Sequence, residues 1–183
     1  PAALLPPERV LLGPGPSPVP ASVLQALGAP TVGHLDPYFL QIMDELRGML
    51  RTLFGTSNQL TIPISGTGSA GMEACLANLI QPGDPVLIGV NGVFGGRMCE
   101  VAERLGAQVT KVAGEWGRAM SVDAMRSAAA GRKFRLIGIV QAETSTGAHT
   151  HPQPFRALAD ELGALLVVDA VTSLGGMPVQ VDE

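Results

Sequence analysis

The first stretch of the sequence with a chemically suggestive composition is SGTGSAG, at positions 65–71. It stands between an apolar run and a helical pattern. Backbone N–H groups at the start of a helix, with the helix dipole behind them, bind anions. The hydroxyl groups of Thr67 and Ser69 can add hydrogen bonds, and glycine lets a phosphate approach the main chain. The segment is predicted to bind a phosphate, with a ligand-free tight turn as the alternative.

Glycines 66, 68 and 71 also spell the dinucleotide-binding pattern GxGxxG. That function requires an acid at the end of the next strand, about 20 residues on. The strand predicted at 86–90 is followed by Asn91 instead. The loop contains no lysine, which excludes a Walker P-loop. A monophosphate fits better than NAD, and an NAD-binding domain stays as a weaker alternative.

A second chemical signal is Asp169, which follows the apolar run 165–168, a pattern typical of a central strand. An acid in that position is desolvated unless it is paired with a cation. A protonated pyridine nitrogen is such a cation, and its protonation makes the ring an electron sink. A helix cap or turn is the alternative role for an Asp that ends a strand.

Two further loops carry side chains suited to a planar ring. Phe94 lies among glycines in NGVFGG at 91–96, where a stacking platform is as plausible as a core residue. Such stacking contributes about 0.5–1.5 kcal/mol beyond area burial. Residues 143–147, ETSTG, form a hydroxyl-rich turn that could contact a phenolic oxygen. Local hydrogen bonding within the turn is an equal alternative.

Histidine and cysteine do not indicate a metal site. His149 and His151 would point to opposite faces of an extended segment. Cys75 and Cys99 have no CxxC spacing and fall within helical patterns. They are predicted to be small buried thiols, which fits a reducing compartment.

The elements that must position these loops alternate regularly from residue 59 onward. Strands are predicted at 60–64, 86–90, 108–112, 136–141 and 164–168, and helices at 69–80, 97–105, 121–130 and 154–162. Earlier helices are predicted at 21–27 and 37–54, after an extended arm at 1–20 that is dense in proline and glycine. This alternation predicts an α/β fold with a mainly parallel sheet covered on both faces. Ligands bind beyond the carboxyl ends of such strands, so the four loops should share one site.

The bulk composition agrees with a well-buried α/β domain. Apolar residues make up 46% of the 183 residues and charged residues 15%, which argues against disorder. A net charge of −4 provides no basic patch for nucleic acid or an anionic membrane. The first residues lack the pattern of a signal peptide, and no stretch approaches the ~18 apolar residues of a membrane span. We expect a soluble, cytoplasmic protein.

Taken together, the loops resemble those of class V aminotransferases, which are fold-type I pyridoxal-phosphate enzymes. The similarity is greatest to the alanine–glyoxylate, serine–pyruvate and serine–glyoxylate group. The matching segments are LLGPGP at 11–16, SGTGS at 65–69, PGD at 82–84, NGVFG at 91–95, ETSTG at 143–147 and VDAVTSLGG at 168–176. The resemblance covers essentially the whole chain, and the segments are specific in combination although each is weak alone.

The resemblance implies a cofactor, pyridoxal 5'-phosphate, and a role for eight residues. The residues implied for the phosphate are Thr67, Gly68 and Ser69. The others are Phe94 stacked on the pyridine ring, Thr144 at the ring hydroxyl, Asp169 at the ring nitrogen, Val171 on the opposite face, and Gly15 beside the substrate. Asp169 is also implied to be catalytic.

The resemblance further implies the N-terminal part of a fold-type I large domain, with residues 1–20 as an arm and 21–183 as an incomplete cofactor-binding domain. The implied activity is transamination between alanine or serine and glyoxylate or pyruvate, in a homodimer. Cysteine desulfurases share the fold, but they typically stack a histidine and carry Asp-Gly-Ala-Gln where this chain has DAVT at 169–172. A desulfurase-like lyase or a non-catalytic cofactor-binding fragment is the alternative.

One departure concerns the Schiff-base lysine of the family, which is expected beyond Glu183. The sequence contains two lysines, Lys111 after an edge-like strand and Lys133 beside a turn, and neither matches the family motif. Covalent catalysis needs such a nucleophile. The 183-residue chain is therefore predicted to be inactive on its own.

Overall fold

The structure, a computed structural model, describes residues 6–183. The chain divides into two units, Pro1–Asp44 and Glu45–Glu183. Residues 1–5 of the predicted arm lie outside the described residues. No helix within residues 6–183 is both long and apolar enough to cross a membrane.

The first unit contains the arm, the first helix and residues 37–44 of the second helix. Residues 6–20 form neither helix nor strand, as their proline and glycine content predicts. Helix α1, Ala21–Leu27, and helix α2, Pro37–Phe54, have the predicted bounds. The side chain of Asp36 accepts a hydrogen bond from the Tyr38 N–H at 2.8 Å. This bond satisfies one of the free donors at the start of α2.

The second unit carries the alternating elements. In chain order they are α3 (Gly68–Leu79), β1 (Pro85–Val90), α4 (Val93–Arg104), β2 (Gln108–Ala113), α5 (Val122–Ala129), β3 (Leu136–Val140), β4 (Ala142–Glu143), β5 (Ala148–His149), α6 (Gln153–Leu162) and β6 (Leu165–Asp169). Ser121 caps α5 by accepting from the Ala124 N–H, and Gly163 ends α6 in the left-handed conformation. Both signals were readable in the sequence.

The main sheet is parallel and has the order β2-β1-β3-β6. The chain leaves β1 for β2 on one side and returns to β3 on the other. The topological switch point of the sheet is therefore at the carboxyl ends of β1 and β3, where α/β proteins bind ligands. Strands β4 and β5 form a separate antiparallel pair directly after β3.

The side chains of the central strands point alternately to the two faces of the sheet, where they form two separate hydrophobic cores. Val86, Ile88 and Val90 of β1 pack in one cluster with residues of α3 and α4. Leu87 faces the other way and packs in a second cluster with residues of α5 and α6. This confirms the predicted α/β fold with helices on both faces of a parallel sheet.

The predicted strand at 60–64 is wrong. These residues form no strand, and Leu60, Ile62 and Ile64 are 80%, 55% and 50% exposed. Proline at position 63 removes a ladder donor, and no described strand lies alongside to pair with the segment. Apolar alternation alone does not make a strand without a neighbour.

The central position expected for the strand before Asp169 stays a prediction, since the described strands include one neighbour of that strand, β3. Strand β6 is an edge of the sheet, and its residues are half-buried or exposed. Its pairing with β3 still fixes Asp169 opposite Val140. The acid therefore lies at the carboxyl edge of the sheet, as predicted.

Candidate cofactor site

The first part of the site is the amino end of α3. Thr67 precedes the helix and makes no side-chain capping bond, and the first turn contains no acidic residue. The carbonyl of Thr67 accepts from the Gly71 N–H at 3.1 Å. The N–H groups in the first turn of α3, before Gly71, have no acceptor within the helix. An exposed helix end with free donors and no built-in anion suits a phosphate.

Val171 joins this helix end to the loop that follows β6. A Cβ atom built on Gly68 would lie 2.8 Å from Val171 Cγ2, so the backbone of α3 is close to that side chain only because position 68 is glycine. Val171 is nevertheless 65% exposed. It therefore presents an apolar surface beside the predicted phosphate-binding segment.

Asp169 lies two residues before Val171 and is held from both sides. Its carboxylate Oδ1 accepts from the Val171 N–H at 3.0 Å, and its carbonyl accepts from the Gln141 N–H at 2.9 Å. Burial raises the pKa of the Asp169 carboxyl, the Val171 N–H opposes this, and the charge of Glu143 raises the pKa further. A carboxylate so placed is stabilised by a cationic partner.

Thr144 is brought to the same segment by the β4–β5 turn. Its hydroxyl hydrogen-bonds the Thr172 hydroxyl, three residues after Asp169. The nearby Ser173 hydroxyl donates to the buried Gln141 Oε1 at 2.9 Å. These bonds place the hydroxyl-rich turn beside the strand end that carries the acid.

Phe94 lies in the first turn of α4, which corrects the predicted helix start at residue 97. The helix begins at Val93 because acceptors from the β4–β5 turn satisfy its first N–H groups: Ser145 Oγ bonds the Val93 N–H, and the Glu143 carboxylate bonds the Phe94 and Gly95 N–H groups. The Phe94 ring is half-buried against the α3–α4 core. Part of the ring remains available for stacking.

Glu143 was not among the predicted site residues, although its carboxylate makes the most hydrogen bonds of any in this site. The available signal was an acid three residues after the buried run of β3, where an unpaired charge is costly. Its location opposite the start of α4 depends on the tertiary fold, which local patterns do not encode.

A profile of the family described as "Aminotransferase class-V" matches residues 9–183. The chain belongs to this family. The alanine–glyoxylate aminotransferase of Felis catus is 38% identical over 177 residues, with 97% of this chain and 43% of the relative covered. The (S)-ureidoglycine–glyoxylate transaminase of Bacillus subtilis is 41% identical over 180 residues, covering 97% and 42%.

A solved structure of a class-V aminotransferase agrees closely with the fold. The crystal structure of an alanine–glyoxylate aminotransferase from Nostoc sp. superposes with a TM-score of 0.95 at 49% identity, covering 98% of this chain and 48% of that one. The chain thus spans about half the length of the relatives it matches. This agreement confirms the fold-type I assignment.

Members of the class-V aminotransferase family use pyridoxal phosphate, and the residues present fit that group. The open end of α3 offers N–H donors for the phosphate, and glycine at position 68 lets the Val171 side chain lie against the backbone there. Burial raises the pKa of the Asp169 carboxyl, and a cation such as the pyridine N–H would stabilise its charged form. The donor set therefore matches a phosphorylated, protonated heterocycle.

Gly15 lies in the first unit, and its predicted place beside the substrate stays a prediction. Lys111 lies within β2, not after it, and lines a cleft of about 310 Å³ with Val93 and Trp116. This corrects its predicted place after an edge-like strand.

Two expectations about histidine and cysteine are also corrected. The His149 and His151 rings are 4.5 Å apart, edge to face, rather than on opposite sides. Within the described part of the chain, no group of three or more His, Cys, Asp or Glu residues could hold a metal. Cys75 is exposed, whereas Cys99 is buried and burial raises its pKa to about 11.

Gly92→Ala is expected to lower the free energy of unfolding by about 1–3 kcal/mol, the usual cost of overpacking. A Cβ at position 92 would lie 2.3 Å from Glu143 Cγ and 2.7 Å from Ser145 Oγ. The control is Gly96→Ala, inside the helix that begins directly after Gly92, where no atom lies within 4 Å of the added Cβ. Denaturant titration should find the control unchanged or slightly stabilised; equal losses would contradict the close packing of Gly92 on Glu143.

Phe94→Ala is expected to weaken retention of pyridoxal phosphate by up to about tenfold, because ring stacking contributes about 0.5–1.5 kcal/mol. Phe94→Trp should retain the cofactor, since a larger ring preserves stacking. Equilibrium dialysis with pyridoxal phosphate measures both. If the alanine variant retains the cofactor as Phe94 does, the residue is part of the core alone.

Proposed function

We propose that the full-length enzyme, a polypeptide of full family length that contains this chain, uses pyridoxal phosphate for transamination. The amino group would pass between alanine or serine and glyoxylate or pyruvate. The observation that carries this proposal is Asp169, a partly buried acid at the carboxyl edge of the sheet, on the strand beside β3. Its pKa is raised and it has no cationic partner among residues 6–183.

The proposed acceptor is supported by the names of two relatives. The Felis catus protein is an alanine–glyoxylate aminotransferase, and the Bacillus subtilis protein is a ureidoglycine–glyoxylate transaminase. Glyoxylate is common to both, whereas the amino donor differs. We therefore propose glyoxylate as the preferred acceptor, with a small amino acid as donor.

Each residue of the site is proposed to contact a different part of the cofactor or the substrate. The N–H groups that follow Thr67, with the Thr67 and Ser69 hydroxyls, would bind the phosphate. Asp169 would hold a proton on the ring nitrogen, and Val171 would pack against one ring face. The other proposed contacts are Phe94 on the opposite face, Thr144 at the ring hydroxyl and Gly15 at the substrate.

Bound pyridoxal phosphate supplies an electron-withdrawing ring that makes the substrate Cα proton acidic. The protein's task is to keep that ring protonated and oriented. Asp169 performs the first task through its carboxylate. The segments that contact each other through Gly68, Val171 and the Thr144–Thr172 bond perform the second.

The test is an assay of the full-length enzyme with alanine and glyoxylate, measuring pyruvate and glycine as they form. Release of sulfide or alanine from cysteine, without transamination, would instead identify a cysteine desulfurase. No turnover of either kind, with pyridoxal phosphate still bound reversibly, would identify a non-catalytic cofactor-binding protein.

We further propose a cytoplasmic homodimer. The exposed apolar side chains of Leu60, Ile62 and Ile64 in the second unit support association with a second copy. The free thiols of Cys75 and Cys99 support a reducing compartment. Light scattering of the purified full-length enzyme tests the dimer, and a monomer at micromolar concentration would contradict it.

A further inference from the structure

Glu143 is a buried carboxylate at the start of α4, beside the candidate site. Its side chain belongs to a residue that is 1% exposed, and it is the one buried acid among residues 6–183. One oxygen, Oε2, accepts from the Phe94 N–H at 3.1 Å and from the Gly95 N–H at 3.3 Å. The other, Oε1, accepts from the Ser145 hydroxyl at 2.6 Å and from the Ser145 N–H at 3.2 Å.

These bonds close the amino end of α4. Oε1 also lies 3.4 Å from the Phe94 N–H, and Ser145 Oγ accepts from the Val93 N–H at 3.0 Å. A negative charge at a helix amino end is favoured by the free donors and by the helix dipole. The backbone N–H groups in the first turn of α4 therefore have hydrogen-bond acceptors within the protein.

The amino end of α3 differs in this respect. It has no acidic residue in its first turn and no side-chain capping bond at Thr67. Two helices of the second unit thus begin close to the candidate site, one with an internal carboxylate and one without. An incoming phosphate meets free donors at α3 and a like charge at α4.

The backbone of Glu143 is fixed as firmly as its side chain. Its carbonyl accepts from the Gly147 N–H at 2.8 Å, and the residue pairs with Ala148 in the β4–β5 hairpin. The next residue is Thr144, whose hydroxyl bonds Thr172. A shift of Glu143 would therefore move the hydroxyl-rich turn as well as the start of α4.

We infer that Glu143 is a positioning residue of the cofactor site, which acts by holding the first turn of α4 and with it the ring of Phe94. This inference rests on the proposed function for the part that concerns the cofactor. The hold on α4 is a property of the protein alone.

The first experiment needs no cofactor. Hydrogen exchange of the Phe94 and Gly95 amides should be at least about tenfold faster in Glu143→Gln than in the unmodified protein, because an amide in place of the carboxylate loses the charge and presents a donor. The matched control is Glu100→Gln, an exposed acid on the same helix that is paired with Arg97. Unchanged exchange in Glu143→Gln would overturn the inference, whether or not pyridoxal phosphate binds.

The second experiment is a double-mutant cycle in the full-length enzyme. Glu143→Gln and Phe94→Ala should each weaken binding of pyridoxal phosphate by up to about tenfold, and the double variant no more than Phe94→Ala alone. The induced circular dichroism of the bound ring should change in both single variants. Fully additive losses, or a Glu143→Gln variant with normal affinity and dichroism, would overturn the inference.

The two proposals fail in different ways. If the unmodified full-length enzyme does not bind pyridoxal phosphate, the proposed function fails, and the exchange experiment still decides the role of Glu143. If Glu143→Gln does not fold, Ser145→Ala replaces it, since Ser145 bonds both the carboxylate and the Val93 N–H. Ser145→Ala should show smaller changes in amide exchange, cofactor affinity and dichroism. If it shows none of them, the inference is overturned.

Discussion

Asp169→Ala in the full-length enzyme is expected to lower kcat by about 100-fold or more while the phosphate still binds. Each pKa unit lost from the ring nitrogen corresponds to about 1.4 kcal/mol, or a factor of ten in rate if it is felt fully in the transition state. Loss of a carboxylate partner is expected to lower that pKa by several units. The phosphate-binding end of α3 does not depend on Asp169, so cofactor retention should change much less than turnover.

Asp169→Asn separates electrostatics from folding. The amide oxygen can still accept from the Val171 N–H, so the loop should keep its conformation. Because folding raises the pKa of Asp169, its ionised form costs stability above the folded pKa, and that cost vanishes below the unfolded pKa. Cofactor-free Asp169→Asn should therefore be at least as stable as the unmodified protein at neutral pH, and its advantage should disappear in acid.

Steady-state kinetics and denaturant titrations at two pH values measure these effects. Near-normal kcat in either variant would remove Asp169 from the proposed mechanism. A large loss of stability in Asp169→Asn at neutral pH would indicate a structural role instead.

The second large effect concerns the 183-residue chain by itself, which is expected to show no transamination and no covalent attachment of pyridoxal phosphate. Attachment needs a neutral amine held within bonding distance of the aldehyde, and proximity supplies much of the rate. Lys111 is in β2 and Asp169 ends β6, at opposite edges of the sheet. Three interstrand spacings separate them, roughly 14 Å at about 4.8 Å each.

Lys133 is no better placed. It is exposed and precedes β3, so it lies toward the amino end of that strand, whereas the site lies at the carboxyl end. Borohydride reduction followed by peptide mass spectrometry would detect attachment at either lysine. Lys111→Ala is the informative comparison, because Lys111 lines the cleft beside α4. Stoichiometric labelling of Lys111, with turnover of alanine and glyoxylate, would contradict the expectation.

The strand–helix alternation and the place of Asp169 could be predicted from sequence because they rest on local patterns. Apolar runs of five residues define β1 and β3, and a serine cap and a glycine stop mark α5 and α6. The three loops that follow β1, β3 and β6 then lie at the carboxyl ends of parallel strands from topology alone.

The errors came from interactions between distant segments. The start of α4 was placed too late because its capping groups, Glu143 and Ser145, are about fifty positions further along the chain. The segment 60–64 has strand-like alternation, yet it has no pairing neighbour among the described strands. Partner choice of this kind depends on the assembled structure.

The bond between Glu143 and the Phe94 N–H also determines the order in which parts of the site can form during translation. The two residues are 49 positions apart, and the helix that needs the carboxylate is made first. At about 5–20 residues per second, the ribosome takes roughly 2–10 s to travel between them. During that interval the first turn of α4 has no internal anion, and the ring-stacking side of the site is completed only when the hairpin after β3 has emerged.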